Sequence, residues 1–182
     1  MMGKIMAGAI VIIAAIAGVS IYYLQIYAFY EPVVANGTDD VQLTNLVSEL
    51  PETVPYDNFE AIDADSSPIR YRACFTTTLS PGLLTETYEG VEYPVPLVAP
   101  DWFSCFDAKT IGKDLEDANA LAFMGTKNIT YGVDRIVAIY PDGRGYAWNE
   151  INACGEKVFD GLSAPEGCPI PPEDISNSRT GG

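Results

Sequence analysis

The amino-acid sequence predicts a single N-terminal transmembrane helix followed by a small α+β extracytoplasmic domain closed by disulfides. Three observations carry that prediction. An uncharged apolar run occupies Ile5–Leu24, all four cysteines lie beyond it, and the second half of the chain has an apolar stripe of helical period followed by a strand-turn-strand pattern.

The apolar run reads IMAGAIVIIAAIAGVSIYYL. At ~1.5 Å of rise per residue it is about 30 Å long, the thickness of a bilayer's hydrocarbon core. Of the 10 Lys and Arg residues only Lys4 precedes Glu31, whereas all 25 Asp and Glu residues lie from Glu31 onward. Because basic flanks set orientation, the N terminus is expected in the cytoplasm and the remainder outside it. Tyr22, Tyr23, Tyr27, Phe29 and Tyr30 crowd the far end, where amphipathic rings suit the headgroup layer, so the anchor is expected to cover residues 1–30. The rival reading is a cleaved signal peptide, with Ala15-Ile16-Ala17 before Gly18 as the small-x-small site. Cleavage there would leave the apolar tail GVSIYYLQIYAFYEP in water, and the retained anchor is preferred. Ala7, Gly8, Ala14 and Gly18 offer narrow surfaces where another membrane helix can pack closely.

The formal charge of -15 excludes non-specific nucleic-acid binding, which needs Lys and Arg to neutralise phosphates. The length beyond the anchor allows one domain with a real core. Cys74, Cys105, Cys154 and Cys168 allow three pairings in an oxidising compartment, of which the sequential one, Cys74–Cys105 and Cys154–Cys168, is favoured here.

Residues 31–60 read as a connector and domain edge. EPVVANGTDD has the composition of a turn-rich stalk, and VQLTNLVSEL makes a short strand or a marginal amphipathic turn before Pro51 and Pro55. The domain proper is expected over 61–172. Asp63, Asp65 and Ser67 have calcium-loop spacing, but Pro68 and Cys74 stand where glycine and glutamate are needed, which argues against calcium. Ile69–Thr78 reads as a strand with Arg70, Arg72 and Cys74 on one face and Ile69, Tyr71, Ala73 and Phe75 on the other. Both arginines are expected to pair within this acidic protein rather than with an acidic partner. Pro94, Pro96 and Pro100 impose extended surface chain. In DWFSCFDA, Trp102, Phe103 and Phe106 surround Cys105: a small core if buried, and the candidate partner surface if exposed. Ala108–Met124 is the helix candidate, with Ile111, Leu115, Ala118 and Ala122 in one stripe and Gly125 as its stop. Residues 133–151 read as a hairpin turning at Pro141-Asp142-Gly143, with both faces of its first arm largely apolar, so that arm is central and covered by the helix. A loop-rich segment stapled by Cys154 and Cys168 leads to a flexible tail at 173–182.

Catalytic signals are sparse. The absence of histidine removes Ser-His-Asp and Cys-His nucleophile systems and His-ligated zinc or haem. There is no phosphate-binding glycine loop and no CxxC. Glu116-Asp117 and Asp39-Asp40 are adjacent pairs without the spacing to flank a substrate, and Asp134 and Arg135 point to opposite faces of a strand. No catalytic residue, cofactor or metal is expected.

YYLQIYAFYEP at Tyr22–Pro32, SPIRYRACF at Ser67–Phe75, APDWFSCFDA at Ala99–Ala108 and GVDRIVAIYPDGRGYAWNEINACGE at Gly132–Glu156 together carry a resemblance. The chain resembles a family of uncharacterised, short, single-pass membrane proteins of alphaproteobacteria related to Rhodobacter and Paracoccus. That resemblance covers most of the chain, implies a bacterial inner-membrane setting, and supplies no activity. The functional expectation is a non-catalytic accessory or assembly subunit of an inner-membrane complex, a respiratory one in its narrower form. Its partners would be integral membrane subunits and the lipid bilayer. The alternative is a membrane-anchored periplasmic module for ligand binding or envelope maintenance.

Overall fold

In the computed structural model, residues 2–27 and 29–173 are described. Helix α1, Met2–Ile26, contains a 22-residue span, Gly3–Leu24, long and apolar enough to cross a membrane, and its side chains there are exposed along the whole length. The tail expected over 173–182 lies, beyond Glu173, outside the described residues.

The domain is built on one six-stranded antiparallel sheet. Its strands are β1 (Glu31–Val33), β4 (Asp57–Asp63), β5 (Arg72–Thr76), β8 (Arg144–Ile151), β7 (Val133–Ile139) and β6 (Leu121–Thr130), in that spatial order. A second, two-stranded sheet pairs β2 (Gln42–Thr44) with β3 (Pro51–Thr53). Because side chains alternate across a strand, β5 and β7 feed two cores. Tyr71, Ala73, Phe75, Val137 and Ile139 join Val41, Leu43, Val54, Leu84 and Phe123 on one face, beneath β2, β3 and α2 (Pro81–Thr87). Cys74, Ile136, Ala138 and Trp148 join Phe103, Phe106 and Ile111 on the other, beneath α3 (Ala108–Glu116) and the loop before it.

The expected hairpin over 133–151 is present as β7 and β8, paired from Val133↔Ile151 to Ile139↔Gly145. Its turn needs glycine at Gly143, where φ is 89° and an added Cβ would stand 2.4 Å from the Thr77 carbonyl oxygen. Both disulfides of the sequential pairing are formed, Cys74–Cys105 and Cys154–Cys168. The second ties the loop after α4 (Ala153–Phe159) back to that helix.

Two expectations are corrected. The helix begins at Ala108, where Asp107 caps it by accepting from the Lys109 and Thr110 N–H groups, but it ends at Glu116 rather than Met124. Ala118 turns left-handed (φ 57°), and the Asn119 and Ala120 N–H groups fold back onto the Asp114 carbonyl. Leu121, Ala122 and Met124 then belong to β6, and Gly125 lies inside that strand. A short apolar run fits either period, and pairing with β7, which buries Phe123, decides it. The second correction concerns the stalk. Glu31–Val33 is an edge strand on β4, where Pro32 costs nothing because an outward-facing N–H is not needed. The connector region as a whole supplies three complete strands and the start of β4, and Val41, Leu43 and Val54 are fully buried.

The Asn36–Asp40 loop is closed by the Asp40 carboxylate. It accepts from the Asn36 N–H (2.9 Å), the Gly37 N–H (2.6 Å) and the Tyr56 hydroxyl (2.5 Å). Burial pushes its pKa up, but these hydrogen bonds outweigh that and hold it below the ordinary carboxylate value. The stabilisation is therefore present above the unfolded-state pKa of about 4 and is lost as pH falls through the lower folded-state value. Asp40→Asn is expected to lower stability by about 1–3 kcal/mol at neutral pH. It should also flatten the acid limb of a plot of urea midpoint against pH, which is the measurement that checks it.

A second outcome concerns the C-terminal staple. Replacing Cys154 and Cys168 together by alanine should cost about 3 kcal/mol, the chain-entropy value for a loop of this size, read from urea unfolding under non-reducing conditions.

Candidate functional site at the membrane junction

Only Tyr27–Tyr30 separates the end of α1 at Ile26 from the start of β1 at Glu31, so those ends lie less than about 20 Å apart however the chain runs. The junction is closed further by side chains. Tyr27 stacks on Trp102 with ring centroids 6.3 Å apart, Tyr30 meets the same indole edge-on at 6.2 Å, and Trp102 in turn meets Phe103 edge-on at 6.2 Å. The Arg70 guanidinium lies over the Phe29 and Tyr30 rings, 5.9 and 5.6 Å from their centroids. Such aromatic and cation–π contacts contribute about 0.5–1.5 kcal/mol each beyond the area they bury. The end of the apolar helix and the folded domain therefore share one aromatic joint.

Arg72 holds the domain's half of this joint in place. It is buried, at 3% exposure, and its guanidinium donates to four backbone carbonyls: Leu97 (2.7 Å), Ile69 (2.8 Å), Tyr71 (2.6 Å) and Val98 (3.1 Å). Burial pushes its pKa down to about 10, and the fork geometry that meets several acceptors at once is specific to arginine. The contacts fasten Leu97 and Val98 to β5, five and four residues before Trp102, while Cys105 is fastened to Cys74 on the same strand. Trp102 is thus carried on a loop pinned on both sides.

The three aromatic residues expected to act together are separated by this geometry. Trp102 reaches the surface, whereas Phe103 and Phe106 are buried beside the disulfide in the second core. The candidate partner surface therefore reduces to Trp102 and its neighbours at the joint. The arginines also find partners other than carboxylates: Arg72 satisfies carbonyl oxygens and Arg70 covers rings. On α1, Ala7, Ala14 and Gly18 fall on one face and Gly8 about 100° round from it; all four are exposed, and nothing lies within 4 Å of a Cβ built on Gly8 or Gly18. Sequence reading missed the link between Tyr27, Tyr30 and Trp102. Tyrosines at a membrane exit were legible, but nothing local connects them with a tryptophan so far along the chain.

Asp134 and Arg135 serve separate places. Asp134 accepts from the Asn128 N–H (2.8 Å) and the Asn152 amide (2.8 Å), tying the β6–β7 turn to the cap of α4. Arg135 lies 3.4 Å over the centre of the Tyr71 ring and donates to Asn149 (2.9 Å). Burial raises the Tyr71 pKa to about 12, so this phenol stays neutral against the cation. Among the described residues, no group of three or more His, Cys, Asp or Glu is arranged to hold a metal ion. A groove of about 880 Å³, mostly apolar, runs between α3 and the Gly90–Val95 segment, lined by Tyr88, Val91, Tyr93, Leu115, Leu121 and Phe123 among others.

A family model described as a family of unknown function (DUF6446) matches residues 41–169, well over half of the chain. Comparison with curated proteins and with solved structures finds no match.

Arg72→Met should lower stability by about 1–3 kcal/mol, because four backbone carbonyls, that of Tyr71 buried and the others partly so, lose their donor. Arg72→Lys should recover only part of that loss, since a point ammonium cannot fork between strand and loop. Urea midpoints, with tryptophan emission following the freed Trp102 loop, check both.

Proposed function

The chain belongs to the DUF6446 family of unknown function, and from its own geometry we propose that it is a non-catalytic accessory or assembly subunit of a bacterial inner-membrane complex. The observation that carries this reading is the joint of Tyr27, Tyr30, Arg70 and Trp102 between the apolar helix and the domain. A binding or catalytic module that serves diffusible molecules needs only a flexible tether. A domain fixed to its membrane helix presents both parts in one orientation, which matters when the neighbour is itself embedded in the membrane. The exposed face of Ala7, Ala14 and Gly18 supplies a close-packing surface on the helix, and Trp102 supplies an aromatic contact beside it. The lone positive flank at Lys4 favours an N terminus in the cytoplasm, and two disulfides suit a periplasmic domain. An alphaproteobacterial source and a respiratory complex are the narrower forms of the proposal.

The groove beside α3 favours a second reading, a membrane-anchored periplasmic ligand-binding module, because its volume and apolar lining suit a small molecule.

Native purification of the tagged full-length protein in mild detergent, with mass spectrometry of companions and of the intact chain, separates the readings. Stoichiometric membrane subunits with an uncleaved chain are the expected result, and their identity names the process. A monomer carrying a small molecule would move the assignment to the second reading, and a chain beginning at Gly18 would sink the anchor itself.

A further inference from the structure

The antiparallel topology brings one end of the main sheet to the membrane exit. β1 starts at Glu31, and Glu31 is paired with Asp63 at the end of β4. Ile62 is paired with Arg72 at the start of β5, Arg72 with Trp148 near the end of β8, and Ile151 with Val133 at the start of β7. The loops leaving this end include Ala64–Tyr71, and the Leu97–Trp102 loop is held there by Arg72.

Depth follows from α1. If Leu24 marks the hydrocarbon boundary, Tyr27 stands about 5 Å beyond it, inside a headgroup layer of about 5–8 Å. Trp102 stacks on Tyr27 and is therefore placed in the same layer. Beside it opens a cleft of about 560 Å³ that Tyr30 itself lines, together with Ser67, Arg70, Val98, Pro100 and Asp101. The cleft thus combines a cation, a carboxylate and an outward-facing apolar side chain, Val98, which is 78% exposed.

We propose that this cleft receives a zwitterionic phospholipid headgroup, with its phosphate at Arg70, its ammonium toward Asp101, and Trp102 and Val98 against the glycerol region. The occupant is a lipid because the cleft shares Tyr30 with the helix exit, so its height is that of the headgroups. It is zwitterionic because a chain of formal charge -15 disfavours an anionic surface. The inference rests on α1 being retained as a membrane anchor.

The test uses full-length protein in phosphatidylcholine vesicles carrying a nitroxide quencher either on the headgroup or deep on the acyl chain. The sequence has two tryptophans, and Trp148 is fully buried, so the difference between wild type and Trp102→Phe isolates Trp102. Flotation with the vesicles, quenching of Trp102 by the headgroup label above the acyl label, and protection from aqueous iodide are expected. Arg70→Glu should lose much of that headgroup quenching with an unchanged circular dichroism spectrum, and Arg70→Lys should keep it. Flotation with Trp102 open to iodide and untouched by either lipid label would overturn the headgroup site and leave the anchor standing. Headgroup quenching that is the same in Arg70→Glu would overturn the role of Arg70 and with it the proposed site. Failure to float would overturn the anchor reading and this inference together.

Discussion

A guanidinium buried in an apolar setting must find acceptors for its donors or destabilise the fold, and Arg72 finds them on two pieces of chain at once. Ile69 and Tyr71 belong to the loop that leads directly into its own strand, but Leu97 and Val98 come from a segment whose prolines prevent regular structure. Without the arginine that segment has little to order it. With it, the chain from Leu97 to Phe106 becomes the lid of the second core, delivering Ala99, Phe103 and Phe106 onto Ile136 and Trp148. The Cys74–Cys105 disulfide closes the same lid from the same face of β5, two residues further along the strand. The membrane joint inherits its position from this pinning, since Trp102 lies between the two fastenings.

Much of the sheet was legible because its central strands carry apolar residues on both faces, as Val133–Ile139 does, and because Pro141-Asp142-Gly143 is chemically suited to a turn. The helix start was legible from residue chemistry, but its end was not. The stripe Ile111, Leu115, Ala118 and Ala122 continues through sequence that folds as turn and strand, and only the pairing of Leu121–Met124 with β7 separates the two. Which of Trp102, Phe103 and Phe106 faces outward was also unreadable. The loop is set by Phe103 N–H bonding to Pro100 and Phe106 N–H bonding to Phe103, a local turn path with no period to count. Residues of the junction meet across long sequence separations, and pairwise cues in one sequence do not reach that far.

Both edges of the main sheet are blunted. β1 is three residues long and contains Pro32. β6 has shifts in register, a left-handed Asn128 and Lys127, which pairs with Glu89 at 2.7 Å. Its first half is covered by Glu89–Val91, and the Thr44 hydroxyl donates to the Gly125 carbonyl. Short edges, proline, bulges and charge are the means by which sheets avoid adding foreign strands. Association through strand addition is thereby disfavoured, and the surfaces left for a partner are helix faces, the groove and the two ends of the sheet.

The two ends have different neighbours. The end marked by Glu31, Asp63 and Ile151 is next to α1, whereas the start of β6 at Leu121, paired with Ile139, lies at the opposite end. The groove beside α3 draws Leu121, Ala122 and Phe123 from that far end. A lipid held at Arg70 and a ligand held in the groove would thus approach from different phases, the first from the bilayer and the second from water. The groove and the cleft share no lining residue, and Arg72 and the disulfide hold the loop between them against β5. One end of the sheet thus faces the exit of the apolar helix, while the groove draws on the end turned away from it.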